Sequence, residues 1–474
     1  MNKYDVIIVG AGPGGIYAAY EFTLKAPNKK ILLVDKGNSI YKRTCPILKG
    51  KTKSCPKTEI NSYCLPACSI TSGFGGAGAY SDGKFNITTE FGGWLSDYIN
   101  PSELIELIEY VDKINLSHGA PDIKTNPDTK PVKNIEHKAY AASLKLLRAH
   151  VRHLGTENNL NILKDIFEYL NKRIDILFKT EVTNIITEDT NNIKKVKGIR
   201  TSDLSEYYAD NIIIAPGRDG SNWLTSVLKS NGLEMYNNQV DVGVRVETSN
   251  VIMSEINENL YEGKFLFNAS VGTQVRTFCS NPSGYVVIEN HSGIMAANGH
   301  SYLDPKLGSN NTNFALLVSH KFSEPFNKPN EYAVEICRQA NYISNGSVLV
   351  QKLGDLVRGR RSTPKRIKEG FIEPTLKEAV PGNLGLVLPY TTMKSILEML
   401  YALDKVTPGI ASEHTLLYGV EAKFYSARPE LTNSLETKIK GLYCGGDGAG
   451  ITRGLAQAGA SGVLIARDII QKTS

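Results

Sequence analysis

No stretch of the 474-residue chain gathers the roughly 18–20 apolar residues that a membrane-spanning helix needs, so no span is expected. The start lacks a basic segment followed by a long apolar run, the mark of a secretory leader, and the expected location is the cytoplasm. A formal charge of +6 is spread along the chain without a dense basic block. That argues against nucleic acid as a partner and leaves small anionic molecules open. Seven cysteines, an odd number without a leader, do not read as a disulfide scaffold. Internal repeats and low-complexity tracts are missing too. What is there, 41% hydrophobic and 22% charged residues, is the make-up of an ordinary globular protein of two or three domains.

Residues 4–9 (YDVIIV) form an apolar, β-branched run, as a buried parallel strand does. Gly10-Ala11-Gly12-Pro13-Gly14-Gly15 follows at once, then small and apolar residues at helical spacing, then a second apolar run (residues 30–34) that ends in Asp35. Strand, glycine turn, helix, strand and acid within one unit form a dinucleotide-binding pattern. Gly10 permits the tight turn, Gly12 lets backbone approach a pyrophosphate, and Gly15 lets the helix pack closely on the strand. The helix N-terminus offers free N–H groups and a positive dipole to phosphates, and Asp35 can accept from a ribose diol. Lys36 and Arg43, just beyond the acid, join Pro13 and Gly14 as candidate contacts. This motif alone does not separate FAD from NAD.

Near the other end, residues 440–444 (KGLYC) read as a short strand. They lead into Gly445-Gly446-Asp447-Gly448-Ala449-Gly450 and a small-residue helix that opens at Gly454, Leu455 and Ala456. This resembles the second FAD signature of the glutathione-reductase class. The resemblance implies that Asp447 bonds a ribityl hydroxyl and that the helix N-terminus faces the flavin's pyrimidine edge. A β-meander over residues 181–214, ending in Ala215-Pro216-Gly217, completes the set, with Val182 placed by resemblance at the adenine. Three pieces in this chain order favour non-covalent FAD. No second GxGxxG unit occurs between residues 150 and 430, so NAD(P)H is expected only as a transient visitor.

Further motifs are SGFGGAGAYSDGKF (residues 72–85), HLGTENN (153–159), DVGVRVE (241–247), RTFCSNPSGYVV (276–287), NGHS (298–301) and GVEAKF (419–424). On these the chain resembles a group of bacterial and archaeal FAD-dependent dehydrogenases, distantly similar to geranylgeranyl reductases and aromatic hydroxylases. The resemblance implies that the first motif runs along the isoalloxazine ring, with Gly76, Ala77, Gly78, Ser81 and Asp82 as contacts. It also implies a β-rich substrate domain.

Cys45, Cys55, Cys64 and Cys68 crowd one loop, but only the last two are closely spaced. Zinc or an iron–sulfur cluster, a redox-active thiol pair and plain free thiols all stay open. Catalytic candidates are Arg276 and Cys279 on a strand, Asn298 and His300 in a turn with His300 as proton donor, and Glu421, which with Arg428 could anchor a carboxylate-bearing substrate or a flavin edge.

The expected fold is α/β: a discontinuous Rossmann-like FAD domain (residues 1–95, 161–228 and 406–474), a helical insert (96–160) and a β-rich substrate domain (229–405). In the insert both PSELIELIEYVDKI and EHKAYAASLKLLRAHVRHLG show helical spacing. The expected function is hydride transfer between flavin and a small organic substrate, by a dehydrogenase or reductase. The alternatives are a monooxygenase, an electron relay through the cysteine loop, and a non-catalytic flavin redox sensor.

Overall fold

A computed structural model of the chain describes residues 3–47, 49–52, 64, 66–81, 83–191, 193–291, 293–302 and 304–474. Cys55 and Asp82 lie outside the described residues.

The apolar strand Val6–Val9 is buried on both faces and pairs in parallel with two neighbours of its own kind, Ile31–Val34 and Asn211–Ile214. Leu442–Cys444 and Asp175–Leu177 complete a five-stranded parallel sheet, with Val6–Val9 at its centre. Continuous hydrophobic runs are what strands covered on both sides require. The helices Pro13–Lys25 and Leu455–Thr473 pack on each other at very short range. A Cβ added at Gly462 would lie 1.9 Å from the Gly14 carbonyl oxygen, and one at Gly459 2.8 Å from the Tyr17 ring. The meander forms an antiparallel three-stranded sheet from Val182–Thr190, Ile193–Thr201 and Glu206–Tyr208.

The chain divides into two compact units. The first comprises residues 1–125, 149–236 and 426–474, and the second residues 126–148 and 237–425. Two expectations are corrected by this division. Residues 406–425 go with the second unit, because Leu416–Lys423 is an inner strand of its sheet. The helical insert is no separate domain. Pro101–Ser117 is a helix, as its spacing indicates, capped by the Asn100 side chain. The second stretch, however, is helical only over Lys130–Ala141. Ser143, at φ 60, breaks the run, and Leu144–Leu147 and His150–His153 are strands. Leu144 and Leu146 are buried about exposed Lys145, an alternation that competes with helical spacing over so short a stretch.

The second unit is built on an eight-stranded sheet, running Val380–Pro381, Leu349–Lys352, Leu416–Lys423, Val240–Ser249, Asn311–His320, Gln274–Asn281, Lys264–Asn268 and Leu144–Leu147. Asn298 and His300 are not in a turn: they belong to the strand Ile294–His300, paired with Tyr285–His291. Ala297 and, on the partner strand, Val286 are buried in a small apolar cluster, a buried side that a turn would lack.

Candidate functional site

In the first unit, three glycine turns leave the sheet at the C-terminal ends of parallel strands, where open α/β sheets bind their ligands. Gly10 has φ 105, and a Cβ there would sit 2.2 Å from the Ala215 carbonyl oxygen; one at Gly15 would sit 1.9 Å from the Gly10 carbonyl. Both positions exclude any side chain. Gly12, by contrast, is flanked only by Gly76 Cα at 3.9 Å, and a Cβ at Gly217, Gly446 or Gly454 would meet nothing within 4 Å. Bare backbone facing open space, beside two helix N-termini, is the shape a dinucleotide's phosphates and ribityl chain need. The residues present therefore fit FAD.

Asp35 is buried, and it braces the first turn. Its carboxylate accepts from Ala11 N at 2.8 Å and from Gly37 N at 2.7 Å, which leaves further lone pairs for a ribose. Lys36 pairs with Asp219 at 2.8 Å, and Ser72 Oγ donates to the same carboxylate. Arg43, expected among the cofactor contacts, directs its guanidinium to the main chain. It donates to the carbonyls of Ser69, Ile70, Phe74 and Gly76 at 2.7–2.9 Å. It thereby moulds the glycine segment, whose short helix Gly76–Tyr80 touches both signatures. Gly76 closes on Gly12, and a Cβ at Gly78 would lie 2.5 Å from Leu455. Ser81 Oγ donates to the Gly78 carbonyl, and Ala77 lies in the same short helix. Val182 begins the meander's first strand, opposite Thr201. Asp447 accepts from Thr452 Oγ1 at 2.8 Å and from Gly454 N at 3.2 Å, so it closes the turn before the last helix. Burial pushes its carboxyl up, opposed by the Thr452 bond and by the nearby Arg218 and Arg453 charges. Gly448 and Ala456 are buried beside it.

Cys45, Cys64 and Cys68 are not joined in disulfides, and no group of three or more metal-ligating side chains occurs among the described residues.

In the second unit the sheet has two contrasting faces. One carries Val240, Val242, Val244, Val246, Leu316, Val318, Val275 and Phe265 into an apolar core. The other is charged. The register sets Lys145, Leu266, Arg276, Leu317, Gly243 and Glu421 side by side across six strands. Adjacent rows hold Asp241 beside Ser319 and Lys423, and Arg245 beside Ala315. Glu247 lies beside Asn313 in the row beyond.

Arg245 and Glu421 are both 0% exposed and form a two-pronged ion pair, Nε to Oε2 and Nη2 to Oε1 at 2.8 Å each. Arg245 also donates to Cys279 O at 2.8 Å, Asn313 Oδ1 at 3.3 Å and Asn298 Oδ1 at 3.2 Å. Glu421 thus holds another residue in place and is itself enclosed. Asp241, fully buried, accepts from Arg276 Nη2, the Tyr425 hydroxyl and, at 2.8 Å, Ser319 Oγ. Among the described residues, none forms an ion pair with Glu247. It accepts from Tyr418, Thr375 and Asn311, and burial pushes its carboxyl up against those bonds.

Cys279 sits where the register with the neighbouring strand breaks, at φ 46, a backbone conformation strained for a side-chain-bearing residue. Its thiol is half-buried. His300 is exposed at its strand's end, its ring edge-on to Tyr302 at 5.0 Å. Arg428 pairs with Asp97 at 3.0 Å, in the first unit. The structure thus sets Arg276 and Glu421 in one row of the charged face and bonds the Cys279 carbonyl to Arg245. Sequence reasoning missed Asp241, Arg245, Lys264, Phe278 and Tyr425 there. A usable signal was present in residues 240–247, where valines alternate strictly with Asp241, Gly243, Arg245 and Glu247.

Residues 4–218 match the pyridine nucleotide-disulphide oxidoreductase family, and residues 239–424 match the family of FAD-dependent protein, C-terminal domain-like. An uncharacterized protein of Clostridium beijerinckii is 26% identical, over 99% of this chain and 81% of that protein. Among solved structures, CtdE in complex with FAD is 11% identical with a TM-score of 0.32, over 99% of this chain and 83% of that one. A quinol-fumarate reductase with menaquinol molecules is 15% identical with a TM-score of 0.40, over 99% and 71%. No helix among the described residues is long and apolar enough to cross a membrane. The glycine turns and the two family matches agree on cofactor and class: the chain is an FAD-dependent oxidoreductase with a Rossmann-type domain and a β-rich C-terminal domain.

Proposed function

We propose that this oxidoreductase moves a hydride between FAD and a small organic substrate that the charged face of the eight-stranded sheet recognises. The observation that carries the reading is that face itself. A sheet needs only one apolar side for its core, and a second side of buried, mutually fixed charges is costly unless it serves recognition. When bound, FAD supplies the hydride chemistry. The chain's residues supply the rest. The glycine turns with Asp35 and Asp447 hold the cofactor. Arg276 binds substrate, and the Arg245–Glu421 pair fixes the backbone at Cys279. His300, exposed, is the proton-donor candidate, exchanging with solvent. The motif likeness to geranylgeranyl reductases and aromatic hydroxylases makes reduction of a double bond and oxygen-dependent hydroxylation the reactions to compare with simple dehydrogenation. NAD(P)H enters the proposal as a transient electron donor.

The test is the visible spectrum of the purified protein without oxygen, before and after addition of NADH or NADPH. Bleaching of the flavin bands by one nucleotide supports a nicotinamide-fed reductase or monooxygenase, which admitting oxygen then separates. Bands that stay oxidised support a dehydrogenase. A protein that takes up no FAD overturns the proposal.

A further inference from the structure

We infer that the half-buried corner of the charged face around Arg276 is a carboxylate-binding subsite, taking a small anion with an apolar or aromatic body. The inference rests on the proposal that this face recognises the substrate, and it adds the substrate's chemical class. Four observations carry it.

First, cations gather there: Lys145 lies in the same cross-strand row as Arg276, and Lys264 two residues before Leu266 of that row. Lys264 is paired with Glu262 at 3.1 Å. Second, Arg276 is only partly satisfied. Asp241 and Tyr425 both engage Nη2, whereas Nε is buried with no acceptor among the described residues. A buried guanidinium donor without an acceptor has lost water and gained nothing in return. A ligand carboxylate would meet the exposed part of the guanidinium, the planar donor group that suits it best.

Third, the corner supplies a surface for the ligand's body. The Arg276 guanidinium lies 5.5 Å from the centre of the Phe278 ring, and Lys264 Nζ lies 5.9 Å from it. Half-buried Leu266 stands next to Arg276 in the row. Fourth, the site is accessible. The Arg276 side chain is 23% exposed, whereas Asp241, its counter-ion, is 0% exposed. The aspartate therefore fixes the arginine from behind and leaves the rest of the guanidinium for a ligand. Burial also pushes the Lys264 ammonium down, so an added anion there would be welcome on electrostatic grounds.

The probe is benzoate, with the uncharged, nearly isosteric benzamide as control, titrated calorimetrically into the FAD-loaded protein. Benzoate is expected to bind at millimolar concentrations or tighter, with benzamide at least about 10-fold weaker, the ratio that charge-assisted bonds imply. Arg276→Met should abolish that preference, and Lys264→Met should reduce it with Arg276 intact. Equal binding of the two probes, no binding of benzoate, or an unchanged preference in Arg276→Met overturns the inference. The probe comparison uses the unaltered chain, so it decides the matter even where Arg276→Met fails to fold. Failure of the broader proposal looks different. A chain that takes up no FAD yet prefers benzoate through Arg276 keeps the subsite and loses the flavin chemistry.

Discussion

Replacing Arg245 by methionine isolates what the buried charges of the sheet contribute. The substitution removes the two 2.8 Å bonds to Glu421 and the bonds to Cys279 O, Asn298 and Asn313, all inside the unit. Glu421, 0% exposed, is left with Lys423 Nζ at 3.2 Å as its remaining cation. Breaking one partner out of a buried pair costs about 3–5 kcal/mol, because the orphaned charge stays out of water. In a domain of roughly 150–250 residues, 1 kcal/mol moves the melting temperature by about 2–4 °C, so the expected fall is about 6–20 °C. The double variant Arg245→Met with Glu421→Met removes the orphaned charge and should recover at least about 2 kcal/mol of the loss. The assay is thermal melting of the FAD-loaded wild type, both single variants and the double variant, followed by circular dichroism. A double variant as unstable as Arg245→Met alone would refute the reasoning. The cost would then lie in the bonds to Cys279, Asn298 and Asn313 and not in an unpaired carboxylate.

Three other outcomes are expected. Gly462→Ala places a methyl 1.9 Å from the Gly14 carbonyl, so the two helices must part. Overpacking of about 1–3 kcal/mol should weaken FAD binding about 5- to 150-fold, and an unchanged fluorescence titration would count against that geometry. Burial pushes the Cys337 and Cys444 thiols up to about 12, so both should resist iodoacetamide in the native protein near pH 8. Peptide mapping that finds either one alkylated would contradict this. Glu289, which accepts from Asn298, is held down to about 2 from its ordinary 4.5, chiefly by the approach of His291 Nε2 at 3.3 Å, with Lys423 also nearby. Its folded-state value is depressed, so its stabilisation is present above pH 4.5 and lost as pH falls towards 2. The melting temperatures of wild type and Glu289→Gln should differ above that window and converge below it; a constant gap would argue against the assignment.

The cofactor half of the molecule was legible in the sequence because its chemistry is local. Gly10, Gly12, Gly15 and Asp35 lie on one contiguous unit whose spacing is fixed by a strand, a turn and a helix. Asp447 and the small-residue helix after it are equally compact. The charged face was not legible, because it is assembled by register among strands far apart in the chain. Arg245 meets Glu421 across 176 positions, and Arg276 meets Tyr425 across 149. Single residues such as Arg276 and Cys279 could be singled out, but which partners faced them depended on pairing that no local pattern encodes. Residues 144–153 were misread for a related reason. Leucines at 144, 146 and 147 suit a helix or a strand, and the sheet's need for an edge partner decided between them.

The way Arg43 holds the glycine segment bears on how the chain can vary. Its four acceptors are main-chain oxygens, so the side chains at Ser69, Ile70 and Phe74 are not what it reads. Substitutions along that loop leave the anchoring intact as long as the backbone path persists. The same arrangement concentrates risk, since one codon change at position 43 would release every strut at once. Intolerance of change at position 43, beside the constrained glycines it braces, is therefore what this construction predicts.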